Sequence, residues 1–182
     1  MMRLLTAVLI VGLSVSAQAD NLQALTAEGM ALIPPFQQQL MGTVKAAMSS
    51  GGAAHAVEAC QLSAPQIASE HSQKPWTVGR TALRVRNPDN APDAWEREVL
   101  AQFARRAAAG EPLEQMSQSG VVAGELRVMK AIGAAEPCLA CHGKQIEPAL
   151  AQLIEVRYPQ DQARGFAQGE LRGAFTLRRP VD

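Results

Sequence analysis

The segment Cys138-Leu139-Ala140-Cys141-His142 sets two thiols three positions apart and an imidazole directly after the second. That spacing suits covalent attachment of a c-type haem. Each thiol can form a thioether with one vinyl group, and the neighbouring imidazole can reach the iron from the same face. Two other chemistries use a Cys-x-x-Cys pair. A thioredoxin-like dithiol belongs near the start of a helix, early in a βαβ context, whereas this pair comes late and is followed by histidine. A structural zinc site needs four ligands. Outside the segment the chain offers one cysteine and two histidines, with no second paired motif. One covalently held haem uses all three residues, with Cys138 and Cys141 as anchors and His142 as the proximal ligand.

The group on the other face of the iron decides what such a centre does. No Met, His or Cys follows His142, so a ligand of the usual kind must come from upstream. The arrangement of small carrier cytochromes, with the motif early and a methionine later, cannot exist here. The candidates are His55, Cys60, His71, Met30, Met41, Met48, Met116 and Met129. The methionines recur mostly at helical spacing, which suits core packing. His55 and His71 equally suit a surface, and Cys60, beside Ala56 and Val57, equally suits a buried, inert thiol. Haem carboxylates need cationic or amide partners. Arg80, Arg84, Arg86 and Asn87 are candidates, with solvated charge on a strand face as the plain alternative; Arg172 and Lys144 are further candidates.

The chain has 182 residues, enough for one domain with a single core. Its start is a different kind of segment. Arg3 precedes a mostly apolar run, Leu4 to Val15, and Ala17-Gln18-Ala19 supplies small residues for signal peptidase. Residues 1–19 therefore read as a secretory signal peptide cleaved after Ala19, and the mature chain as periplasmic or otherwise exported, with no membrane span. The 17 Lys+Arg balance 17 Asp+Glu, and losing Arg3 leaves the mature chain near minus one. Nothing in that balance supports nucleic-acid binding. An exported chain with three cysteines leaves Cys60 alone once the other two hold haem.

The elements that must position these residues follow from periodicity. Asn21 to Ser49 is helical by its apolar spacing, with a break expected at Pro34-Pro35. Gly51-Gly52 reads as a turn, Ala53 to Cys60 as a short helix, and Pro65 as the start of another turn of helix. Trp76 to Val85 reads as a strand, and Asn87 to Pro92 as a loop. Asp93 with Glu96 resembles a capping box for a helix through Trp95, Val99, Leu100 and Phe103 that stops at Gly110, with Trp95 in the core. Leu113 to Ser117 is a possible short strand and Ser119-Gly120 a turn. Glu125 to Ile132 follows as a strand, with Leu126 and Val128 on one face and Glu125 and Arg127 on the other. Pro148 to Val156 is a helix, Asp161 to Gly169 a loop, and Leu171 to Leu177 a last strand. The fold class is α+β: N-terminal helices on a small antiparallel sheet, one domain over residues 20–182.

Several of these segments carry a resemblance. They are Ala56-Val57-Glu58-Ala59-Cys60 with Ala64-Pro65, the run from Gly79 to Glu96 through Arg86-Asn87-Pro88, the C-x-x-C-H motif, and the tail from Tyr158 to Phe166 with Gly169 to Phe175. Together they resemble the exported or membrane-tethered PAS-like monohaem proteins of bacteria, a family in which the domain occurs alone or fused to signalling kinases. The resemblance implies a PAS-like sheet and a six-coordinate haem, with the motif histidine on one side and a cysteine sulfur on the other. Carried over, that cysteine is Cys60. Ala82 departs from the family, where a small hydroxyl residue often stands.

A thiolate donor stabilises ferric iron and lowers the reduction potential, and its bond is the one expected to loosen on reduction. The expected role is therefore redox or diatomic-gas sensing, or low-potential electron transfer, with a redox or signalling protein as partner. An enzyme is not expected, since no Ser-His-Asp set, paired-carboxylate signature or phosphate-binding glycine loop is present. The rival readings are a bis-histidine electron carrier through His55 or His71, a cytochrome c′-like helical gas-binding protein, and a haem-dependent peroxidase.

Overall fold

The computed structural model describes residues 9–181, with side chains from residue 19 onward. The first eight residues of the expected signal peptide lie outside the described residues. Among the described residues, no helix is long and apolar enough to cross a membrane.

Helix α1 (Leu9–His71) is broken into two arms at Gly51 (φ −155°, ψ 17°) and Gly52 (φ 70°, ψ −162°). The positive φ at Gly52 is one that side chains resist and glycine does not. The second arm returns beside the first, so that Gln39 Nε2 donates to Glu70 at 2.9 Å and Gln39 Oε1 lies 2.7 Å from His71 Nε2. The break expected at Pro34-Pro35 does not occur, and neither does the interruption expected before Pro65; all three prolines lie inside the helix. An interior proline costs about 3 kcal/mol. Around the proline pair, Ile33, Phe36 and Leu40 are all buried against the sheet. Burial of that size offsets a penalty that local propensity counts in full.

The sheet has four antiparallel strands in the order β1 (Thr77–Thr81), β4 (Leu171–Pro180), β3 (Glu125–Gly133), β2 (Ser117–Val122). The chain is thus α+β in one domain, as its periodicity predicts. Two details differ. Leu113–Gln115 is a turn of 3-10 helix rather than strand. Ser119-Gly120 lies inside β2, and the β2–β3 turn falls at Ala123 (φ 51°) and Gly124 (φ 79°). Two successive positive φ values suit the right-handed twist of a hairpin, but alanine there gives no turn signal.

Both faces of the sheet are covered. Leu126, Val128, Phe175 and Leu177 pack under the arms of α1. Met129, Ala131 and Ala174 pack under α2 (Ala94–Ala108) with Val99, Leu100, Phe103 and Met116. Helix α2 starts with the expected capping box, Asp93 and Glu96 each accepting the other's backbone N–H. Arg127, expected on a polar outer face, is instead buried beneath α2. It is paired to Asp93 at 2.6 Å and Glu96 at 3.3 Å, and its guanidinium lies 4.8 Å from the Trp95 ring. Thr176 and Arg178 complete the shell around the buried Glu96 carboxylate. Trp95 itself packs against the α2 core.

The link from β3 to β4 carries the motif. It runs through a 3-10 turn (Glu136–Cys138), the single-turn helix α3 (Leu139–His142) and helix α4 (Pro148–Arg157). Glu147 caps α4, its carboxylate accepting from the N–H groups of Ala149 and Leu150.

Candidate functional site

Helix α3 is too short to hold a fixed geometry by itself, and the tail of the chain fixes it. Gly165 N–H donates to Gly143 C=O at 2.9 Å, and Phe166 N–H donates to His142 C=O at 3.0 Å. A β-carbon on Gly143 would lie 2.4 Å from the Leu139 carbonyl oxygen, so the turn after His142 admits only glycine. Phe166 sets its ring edge-on to the imidazole, centroids 6.5 Å apart.

His142 Nδ1 lies 2.7 Å from the carbonyl oxygen of Ala163. A carbonyl only accepts, so Nδ1 carries the proton and the lone pair sits on Nε2. Burial, reinforced by the positive charges of Arg172 and Arg86, drives the imidazole pKa down to about 3. The ring is neutral and oriented, as a ligating histidine must be.

Arg86 secures the same segment. It donates to the carbonyl of Cys141 at 2.6 Å and pairs with Asp161 at 3.2 Å. Asp161, whose side chain is 1 % exposed, also accepts from Arg164 at 2.7 Å and from the Ala163 N–H at 2.9 Å. Burial alone would raise its pKa, but the hydrogen bonds from Arg164 and Arg86 outweigh that and hold it below the usual carboxylate value.

Cys60 arrives from the second arm of α1. One turn before it, Val57 packs with Leu150, Ile154 and Tyr158, and Cys141 lies against the same cluster. Two polar contacts hold this turn to the end of α4: Glu58 to Arg157 at 3.5 Å, and Gln61 Nε2 to the Arg157 carbonyl at 3.3 Å. Cys60, Cys138 and Cys141 are all half-buried free thiols. Burial raises the Cys60 pKa, against the pull of Arg80, Arg86 and Arg172. Burial also raises that of Cys141, which feels Arg86, Cys60 and Cys138 in turn. The fold therefore brings Cys60 within electrostatic reach of the motif. Tyr158 shares the site, its phenol pushed up to about 12 by burial and by Cys60.

The other candidate residues separate. Arg84 stacks on Phe166 at 3.7 Å and pairs with Glu170. Asn87 caps the adjacent 3-10 turn by accepting from the Asp89 N–H. Arg80 is exposed, while Arg172 is half-buried and donates to the Arg84 carbonyl. Lys144 and His55 are exposed, and His71 is engaged by Gln39 and packed on Phe36. Met116 and Met129 are fully buried in the α2 core, Met30 packs from α1 onto the core beneath it, and Met41 and Met48 are exposed.

Two surface concavities flank the segment. One, of about 520 Å³, lies between Val85–Ala91 and Pro159–Gln162; the other, of about 450 Å³, lies between α2 and the start of β4, with Phe166 in its wall. Neither is lined by Cys60 or His142, so the reactive groups, and not these hollows, define the site. Asp161 and the Ala163 carbonyl are the functional groups that sequence reasoning missed. Asp161 stands three residues from Arg164, a weak local signal, whereas a backbone carbonyl leaves none.

A single-domain α+β fold, with a Cys-x-x-Cys-His segment in its last strand connection and a remote cysteine within electrostatic reach of it, defines the class. The chain belongs to the Tll0287-like family, whose model matches residues 10–180. It is also similar to the solved crystal structure of the cyanobacterial haem protein Tll0287, at 25% identity and a TM-score of 0.59, over 85% of this chain and 96% of that one. No curated protein matches the chain.

Proposed function

We propose that the chain is an exported c-type protein of PAS-like architecture that carries one covalently attached haem. Its role is redox or diatomic-gas sensing, or low-potential electron transfer to a partner protein, rather than turnover of a substrate. The observation that carries this reading is the Nδ1–H of His142 on the Ala163 carbonyl, inside a C-x-x-C-H segment. It leaves Nε2 as the free donor of a neutral imidazole.

The residues fit the group. Among the described residues, no three His, Cys, Asp or Glu side chains converge to hold a metal ion unaided. What the site offers is two free thiols, one oriented imidazole and one sulfur on a separate element, which is the donor set of a macrocycle-bound iron. Cys138 and Cys141 would anchor the haem, His142 would take the proximal position and Cys60 the distal one. Bound haem would supply one-electron redox chemistry and an iron able to take a diatomic gas. Cys60, bound to that iron, would keep other ligands away from it. Arg86 and Asp161 hold the Cys141 backbone, and Phe166 fixes the plane of His142. Likeness to a haem protein over nearly the whole chain supports the reading.

The rivals lose ground on specific contacts. His55 is exposed, and His71 faces Gln39 and Phe36, which disfavours bis-histidine ligation. The four-stranded sheet disfavours a cytochrome c′-like bundle. The test is to express the full chain in a host with haem-attachment machinery. The expected mature protein begins at Asp20, weighs its polypeptide plus one haem, and gives a c-type pyridine haemochrome. A colourless protein of polypeptide mass overturns the proposal.

A further inference from the structure

Most arginines near the site already have an acid. Arg84 pairs with Glu170, Arg86 and Arg164 with Asp161, and Arg157 with Glu58. Arg80 and Arg172 do not: among the described residues neither has a carboxylate within ion-pair distance. Arg172 makes one hydrogen bond, to the Arg84 carbonyl at 3.3 Å.

Both are aimed by the sheet. Arg80 stands opposite Phe175 in the β1–β4 ladder, and residues paired across antiparallel strands share a face. Phe175 and Val78 pack under α1, so Arg80 points toward the α1 side of the sheet, the side that carries Cys60. Arg172 sits at a bulge. Ile132 pairs with Gly173 and Gly133 with Leu171, which leaves Arg172 as the extra residue of β4. The consequence shows in packing: Ala174 and Leu171, three positions apart, both lie in the α2 core, where an unbroken strand would put them on opposite faces. Bulges re-aim side chains in this way beside functional sites. Arg172 is released from the alternation, and its guanidinium lies 5.2 Å from the centroid of Phe166, the ring that meets His142 edge-on.

The electrostatics agree with the geometry. The Arg80 pKa is lowered, chiefly by burial, against the fields of Cys60 and Tyr158, although its side chain is open to solvent. Burial takes Arg172 down to about 10, with Arg86 and Arg80 pushing the same way. Two cations that repel each other and lack an acid call for a ligand carrying negative charge.

We propose that Arg80 and Arg172 form a two-point clamp for a pair of carboxylates, the two propionates of the haem anchored at Cys138 and Cys141. The clamp rests on the haem reading above. Arginine suits the task because its planar fork accepts a carboxylate through two parallel hydrogen bonds. Arg84 and Arg86 are excluded from it by their own acids.

The experiment uses the haem-loaded mature protein and its Arg80→Gln, Arg172→Gln and Arg84→Gln variants, read by resonance Raman in the propionate-bending region and by the midpoint potential. The expected result is a shift of those bands in Arg80→Gln and Arg172→Gln, with a lower potential, since removing a cation favours the oxidised centre. Arg84→Gln should leave the bands in place. Arg80→Lys and Arg172→Lys keep the charge and the fold while losing the fork, so the bands should shift while the potential recovers toward the parent value. Haem present with unmoved bands, or with Arg84→Gln moving them as far, overturns the clamp and leaves the haem reading standing. Absence of haem from the parent protein overturns both.

Discussion

The guanidinium of Arg86 donates to the Cys141 carbonyl at 2.6 Å and is paired, through the same side chain, with the carboxylate of Asp161. The C-x-x-C-H segment is thus held through its backbone by a residue of the Arg-Asn-Pro loop, leaving its thiols and the His142 Nε2 free for other bonds. Asp161 is the centre of this arrangement, because Arg164 and the Ala163 N–H also converge on it.

Asp161→Asn keeps the shape of the side chain and removes the charge from two arginines. Breaking one side of a buried pair costs about 3–5 kcal/mol, and Asp161 is 1 % and Arg86 10 % exposed. The expected outcome is an unfolding free energy, from urea titration, lowered by an amount in that range, with the midpoint lowered accordingly. A midpoint equal to the parent's would mean that the pair contributes nothing.

Stability should also fall in acid. Asp161 and Asp93 both have depressed pKa values; burial opposes the depression, and hydrogen bonds from arginine overcome it. Their contribution is complete above the unfolded carboxylate value of about 3.9 and is lost as pH falls through the lower folded values. Unfolding free energy measured from pH 6 down to pH 2 should decline below about pH 4, and less steeply in Asp161→Asn.

How legible this was in the sequence depends on the range of the forces involved. The Asp93–Glu96 capping box could be read because its partners are three residues apart. Pro34-Pro35 misled because local propensity cannot see the sheet that buries Ile33, Phe36 and Leu40. Arg127 misled because alternation distinguishes two faces but does not show that α2 covers the second with acids. At the site, the thiols and imidazole were visible as a motif, and Cys60 stood among eight upstream candidates until the resemblance singled it out. The Ala163 carbonyl that orients His142 was invisible, since every residue has one.

Gly143→Ala tests the turn behind His142. Its β-carbon would meet the Leu139 carbonyl oxygen at 2.4 Å, so the turn must open and His142 must move. The expected result is a smaller haem-bearing fraction by intact mass; full loading would show that the turn adapts.

Cys60→Ser tests the distal ligand. The ferric absorption spectrum should change on losing the thiolate donor, while His55→Ala and His71→Ala leave it as it was. A Cys60→Ser protein with the parent spectrum would place the ligand elsewhere.

Carbon monoxide tests access. If Cys60 leaves the iron on reduction, the dithionite-reduced protein should change its Soret band under carbon monoxide, and the oxidised protein should not. An unresponsive reduced protein would rule out gas sensing and favour electron transfer.

The glycine pair that divides α1 gives the arm bearing Cys60 a pivot. The sulfur-bearing residue lies eight positions past Gly52, about 12 Å along the axis at 1.5 Å per residue. Over that lever, a swing of about 10° carries the thiol about 2 Å. For the Cys60 ligation proposed above, a shift of that size separates a bonded sulfur from a detached one with no turn of helix unwound.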